Sequence, residues 1–213
     1  MNLQAWSYLM EGLTKDGVDC HSMRDDLGNG NAVEWETAIF LYGLIRRINP
    51  TNIIETGRHY GLSSCMMAMA LKDNYIDYPN RQPGHIYTCD PDSYNGRPEE
   101  IWAKCEVSEY ITNYIGNSYS YCPKMNGPAD VIFYDADHSA EALVNEFMHF
   151  SQYMSDKKIY LLWHDGRLDP REAEGIRQIK KDLIPLLTYK HMGHFAMRNF
   201  RGFDIIYLSN EDL

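Results

Sequence analysis

Two segments of this 213-residue chain end an apolar run in acid and imidazole: Phe133-Tyr134-Asp135-Ala136-Asp137-His138 and Trp163-His164-Asp165-Gly166. A carboxylate closing a strongly apolar strand is costly unless it is paired or used, which marks Asp135 and Asp165 as functional candidates. Carboxylates at two neighbouring strand tips can share a hard divalent cation such as Mg²⁺, which takes carboxylate oxygens together with waters and substrate oxygens. Two acids and an imidazole near one metal can activate a hydroxyl at neutral pH, where histidine titrates. Asp137 reads as the cap of a helix starting near Ser139, and His164 as a hydrogen-bonded core residue. His191 and His194 read as surface-loop residues without a role, Met66, Met67 and Met69 as core, and Lys180-Lys181-Asp182 as a solvated helix face.

A second constellation begins at Glu55-Thr56-Gly57-Arg58-His59-Tyr60-Gly61-Leu62-Ser63-Ser64, which reads strand, turn, helix. Gly57 lets the chain leave the strand sharply, and Gly61 lets the helix pack close to the sheet or a ligand. The helix N-terminus offers free N–H groups and hydroxyls to a polar ligand. The G-x-x-x-G spacing is neither the G-x-G-x-x-G of a dinucleotide site nor a phosphate loop, which disfavours a nicotinamide oxidoreductase. The next strand ends Cys89-Asp90-Pro91-Asp92, and an acid there is placed to accept both hydroxyls of a ribose. The other reading of Asp90 is a turn-forming residue before proline. Gly57 and Asp90 lie 33 residues apart, against roughly 20 in the dinucleotide fingerprint; residues 73–84 read as an inserted loop that supplies the excess. Gly116-Asn117-Ser118 adds a third small polar turn, and such turns converge outside the carboxyl ends of the strands of an open α/β sheet.

The elements that must position these residues alternate between strand and helix, the sign of βαβ units and a doubly wound, mostly parallel sheet. Strand-like runs are 52–56, 85–89, 111–115, 131–134, 159–163 and 203–208, of which the fourth and fifth are continuously apolar, as strands buried on both faces are. Helical stripes are Leu62, Cys65, Met66 and Met69; Ala140, Leu143, Val144, Phe147 and Met154; and Ala173, Ile176, Ile179 and Leu183, ended by Pro185. The third starts at Asp169-Pro170-Arg171-Glu172, an N-cap, a first-turn proline and a glutamate closing a capping box. Residues 33–48 form a further amphipathic helix stopped by Asn49-Pro50. Residues 1–31 read as a helical segment broken at Gly28-Asn29-Gly30-Asn31, a lid or a homodimer contact, ahead of one domain over 32–213.

Composition narrows the partners. Twenty basic against thirty acidic residues give a formal charge of −10, which disfavours nucleic acid as a partner and suggests a neutral or cationic small molecule. No stretch is long and apolar enough to span a membrane. Five scattered cysteines without a CxxC pair, and the lack of a secretory signal, predict a reduced, cytoplasmic protein.

The glycine turn, Asp90, Gly116-Asn117-Ser118, Asp135-Ala136-Asp137-His138 and His164-Asp165 together resemble the class I S-adenosylmethionine-dependent methyltransferases over roughly residues 32–208. The branch most similar is the small O-methyltransferases of catechol and caffeoyl-CoA type and their bacterial relatives. The resemblance implies a Rossmann-like seven-stranded sheet with helices on both faces and an antiparallel last strand near 203–208. It implies that Gly57, His59 and Ser63 surround the methionine part of S-adenosylmethionine with Glu55 behind the turn, that Gly61 also belongs to the cofactor site, that Asp90 binds the ribose, and that Asn117 and Ser118 border the adenine. Asp135, also facing the cofactor, and Asp165 would hold Mg²⁺ or another divalent cation, and His138 would act as general base where those enzymes carry lysine. Gly166 departs from the asparagine that completes their metal site, leaving His164 or a water to fill the gap. The expected activity is Mg-assisted O-methylation of a small-molecule hydroxyl. Against it stand a catalytically idle cofactor-binding relative and a metal-dependent hydrolase built on the Asp/His cluster.

Overall fold

The computed structural model describes residues 33–166, 170–197 and 202–211; the expectations for residues 1–31 and for an Asp169 cap lie outside them. Seven strands form one sheet in the order β3-β2-β1-β4-β5-β7-β6. They are β1 (Asn52–Thr56), β2 (His85–Asp90), β3 (Ile111–Ile115), β4 (Val131–Tyr134), β5 (Lys158–His164), β6 (His191–Met197) and β7 (Phe203–Ser209). The first five run parallel, while β7 pairs antiparallel with both β5 and β6. Every residue of β1 and β4 is buried, and the continuously apolar β4 lies at the centre of the sheet.

Helices cover both faces. On one side α1 (Trp35–Ile48) and α2 (Leu62–Asp77) pack with α3 (Arg97–Lys104) over Ile53, Ile86, Val131 and Phe133. On the other, α4 (Ala140–Ser151) and α5 (Pro170–Gln178) cover Ile54, Ile132, Tyr134 and Trp163. Among the described residues, no helix is long and apolar enough to cross a membrane. The end of α1 falls where the sequence places it: Asn49 turns left-handed at φ 50 and its N–H returns to Ile45.

Five local expectations are corrected. Residues 73–77 are the last turn of α2 rather than a loop, so the loop before β2 shortens to residues 78–84. That helix is apolar all round, buried between the sheet and its neighbours, because residues 62–71 are all out of solvent. The stripe ending at Met154 stops sooner, since α4 ends at Ser151. The last helix becomes π-helical over Ile179–Leu183 and then a 3₁₀ turn over Ile184–Leu186, where Pro185 has no N–H to continue the ladder. His191 and His194 belong to an edge strand, not a loop; β6 is mostly exposed and therefore lacks the alternation that marks a half-buried strand.

Candidate active site

The tips of β1 to β5 meet at one edge around a cavity of about 530 Å³. Its walls include Gly57 and His59 after β1, Asp90 and Tyr94 at and after β2, Asn117, Ser118 and Tyr119 after β3, Asp135 to His138 after β4, and Asp165 after β5. Gly57 is obligatory there: at φ +76 a Cβ would lie 2.0 Å from the Asp135 carbonyl oxygen. The turn after β1 and the tip of β4 are therefore in backbone contact, which brings the nucleotide-type turn next to the acid cluster.

Asp90 is 5% exposed and makes the turn before Pro91 that one of its readings expects. Its Oδ1 accepts the Asp92 N–H at 2.9 Å, an Asx turn, and its Oδ2 accepts the His59 N–H at 3.0 Å. Each oxygen keeps a second lone-pair direction, and Asp90 still lines the cavity. Arg58, fully buried, ties the same two loops together through Nη2 to the Asp92 carbonyl at 2.8 Å. His59 packs edge-on against Tyr60 and Tyr94, its Nδ1 has no hydrogen-bond partner among the described residues, and burial lowers its pKa, so it meets the cavity as a neutral ring.

Three expected cofactor residues stand behind the wall. The Ser63 hydroxyl donates to Glu55 Oε1 at 2.6 Å and the Ser64 hydroxyl to Oε2, so Ser63 is spent on holding a fully buried carboxyl whose pKa burial raises. Gly61, at φ +82, presents its carbonyl to the Trp102 indole N–H at 3.0 Å, and a Cβ there would meet that ring. Glu55, Gly61 and Ser63 thus shape the turn from outside the cavity.

The acid cluster is closer knit than its residue types show. Asp135, His138 and Asp165 each offer a ligand atom within 4.8 Å of the others, a donor set that fits a divalent cation. Its imidazole extends the range beyond Mg²⁺ toward softer ions. His164 adjoins these ligands, and with Glu34 and Asp165 it forms a second set whose ligand atoms lie within 4.8 Å of one another. It is 1% exposed, its Nδ1 lies 3.0 Å from Asp135 Oδ1, and its Nε2 lies 2.7 Å from Glu34 Oε2. Burial alone would discharge it, but Asp135 and Glu34 hold its pKa well above the ordinary range, so it clamps Asp135 as a buried cation. At Gly166 a Cβ would meet the Asp204 carboxylate at 2.8 Å and the Ile176 side-chain tip at 3.0 Å, so an asparagine there would require these side-chain ends to shift.

His138 is gripped from behind by Glu172, whose carboxylate lies 2.7 Å from Nδ1, while Nε2 faces Asp165 at 3.6 Å. The Glu172 hydrogen bond outweighs burial and lifts His138 to about 9; burial lifts Glu172 to about 7. Glu172 is 1% exposed and turned inward from the first turn of α5 to the imidazole. Asp137 accepts the Ser139 N–H at 2.8 Å, and Ser139 itself caps α4 by accepting the Ala142 N–H at 3.2 Å.

Residues 54–166, more than half of the chain, match the model of the methyltransferase domain family. The chain belongs to that family. Solved structures with the same fold include the O-methyltransferase TomG from Streptomyces achromogenes, involved in tomaymycin synthesis and solved with S-adenosylmethionine, at a TM-score of 0.70 and 17% identity over 98% of this chain and 96% of that one. An O-methyltransferase from Bacillus cereus, in complex with S-adenosylhomocysteine, aligns at 0.69 and 14% identity over 99% and 92% of the two chains. The S-adenosylhomocysteine-bound methyltransferase PaMTH1 from Podospora anserina aligns at 0.63 and 14% identity over 96% and 86%. No significant match exists among curated protein sequences.

In this methyltransferase Glu34 and Glu146, given no role from the sequence, and Glu172, which reads there as a helix cap, all reach the site or its supports while 7%, 1% and 1% exposed. A signal was present. Glu146 sits within the buried set Leu143, Phe147 and Phe150 at helical spacing, and Glu172 is followed four and seven residues on by Ile176 and Ile179. An acid on the apolar stripe of a helix is either paired or functional.

Proposed function

We propose that this methyltransferase transfers the methyl group of S-adenosylmethionine to a hydroxyl of a small molecule, assisted by a divalent cation. The observation that carries the reading is the single cavity in which the nucleotide-type turn at Gly57, the acid at Asp90 and the Asp135/His138/Asp165 set face one another. S-adenosylmethionine supplies an activated methyl group, and a cation such as Mg²⁺ lowers the pKa of a bound hydroxyl.

This chain's residues supply position and proton transfer. Asp90 accepts the ribose hydroxyls while holding the β1 turn, Asn117 and Ser118 border the adenine, and Gly57 and His59 face the methionine part. Asp135 and Asp165 hold the cation, with Asp135 fixed by His164. Without a cation Glu172 holds His138 mostly protonated at neutral pH; a cation on Asp135 and Asp165 would disfavour that imidazolium, and the neutral ring, fixed by Glu172, then takes the acceptor's proton. Alignment of the acceptor oxygen with the methyl carbon in a confined site supplies the remaining acceleration.

The test is transfer of a labelled methyl group from S-adenosylmethionine to a panel of small hydroxyl acceptors with Mg²⁺ or Mn²⁺. Asp135→Ala should remove turnover while S-adenosylhomocysteine still binds. Transfer that persists at wild-type rate in Asp135→Ala would refute the assignment of the acid cluster.

A further inference from the structure

Glu146 lines the cavity but has no part in the reaction proposed above. Helix α4 carries it to the β1 end of the cavity, where its Oε2 accepts the Thr56 hydroxyl at 3.2 Å. Oε1 is buried and meets no donor in full hydrogen-bond geometry among the described residues, the Ser118 hydroxyl interacting with this carboxyl only loosely, and among those residues no salt bridge reaches it. A buried acceptor left open is costly, and a ligand that donates to it recovers that cost. Its neighbours locate the ligand. Thr56 directly precedes Gly57, and the Ser118 hydroxyl, which favours the charged form of Glu146, belongs to the turn that borders the adenine in the proposed function.

We propose that Glu146 Oε1 accepts a hydrogen bond from the exocyclic 6-amino group of the cofactor's adenine, so that α4 reads the nucleobase. The inference rests on the proposed binding of the cofactor. Adenine carries an N–H donor at position 6, where hypoxanthine carries a carbonyl oxygen. A carboxylate oxygen only accepts, so it attracts the first group and repels the second.

The experiment compares S-adenosylhomocysteine with S-inosylhomocysteine, its 6-oxo analogue, by calorimetry. It is run at pH 8.5, above the value of about 7 to which burial lifts this carboxyl, where Oε1 has no proton to donate. The wild-type protein should bind the adenine compound roughly ten-fold tighter or more. In Glu146→Gln the amide can turn its N–H toward the 6-oxo group, and the preference should fall to within about three-fold. Equal binding of the two compounds by the wild type, or a ratio unchanged in Glu146→Gln, would overturn the inference and leave the proposed function standing. Failure of the folded wild type to bind S-adenosylhomocysteine at all would overturn both.

Discussion

Replacing Glu146 by glutamine should change how stability depends on pH. Burial lifts this carboxyl from an ordinary 4.5 to about 7, against the Ser118 and Thr56 hydroxyls, which favour the charged form. Between those values the folded protein keeps a proton that the unfolded chain has released. The unfolded state therefore binds fewer protons, and stability falls as pH rises from about 4.5 through about 7. The full displacement corresponds to about 3 kcal/mol. Glutamine keeps the shape and can still bond Thr56, but it does not titrate. The expected result is a gap in thermal midpoint, Glu146→Gln minus wild type, that grows in the variant's favour by roughly 6–12 °C between pH 4.5 and 8.5. Glu172 is raised to a similar value but is present in both proteins, so its contribution cancels. The assay is differential scanning fluorimetry of both proteins across that pH range without added metal. A gap that stays constant with pH would show that Glu146 is ionised in the folded protein and would refute the argument from burial.

Other outcomes follow from the same geometry. Gly57→Ala and Gly96→Ala impose the same backbone cost at φ +76, about 1–2 kcal/mol, but only Gly57 faces backbone at 2.0 Å; Gly96 has nothing within 4 Å. Thermal unfolding should therefore show Gly57→Ala much the less stable, and equal losses would contradict the backbone contact. In chelator-treated protein, Glu172→Gln should drop the His138 titration, followed by NMR, from about 9 toward the ordinary 6.5, and should slow methyl transfer by roughly ten-fold or more; an unmoved titration would remove Glu172 from its positioning role. Mn²⁺ binding followed by electron paramagnetic resonance should weaken at least roughly ten-fold in Asp165→Ala, and unchanged affinity would place any cation elsewhere.

Much of this architecture is legible in the residues because burial on both faces leaves a plain mark. Val131-Ile132-Phe133-Tyr134 admits little but a central strand, and the acid that ends it is conspicuous for its cost. The glycine turn was equally readable as a turn, although the reason Gly57 must be glycine, the Asp135 carbonyl, lies 78 residues away in sequence. Elements that escaped are those whose apolar content is small. Helix α3 buries only Pro98, Ile101 and Trp102, and β6 is an exposed edge held by its hydrogen bonds to β7. The division of labour at the turn escaped as well. Ser63 has the right type and position to meet a ligand, and only the folded chain shows its hydroxyl committed to Glu55. Buried acids are harder to read: Glu146 and Glu172 are marked only by their place on an apolar stripe, and Glu34 looks on paper like a solvated glutamate.

The most direct trial of the account is a crystal structure of the protein grown with S-adenosylhomocysteine. The ribose hydroxyls should lie on the Asp90 carboxylate, the adenine between Asn117, Ser118 and Glu146, and the sulfur toward Asp135 and Asp165. A nucleoside bound outside that cavity, or bound within it with its ribose away from Asp90, would contradict the account at its base.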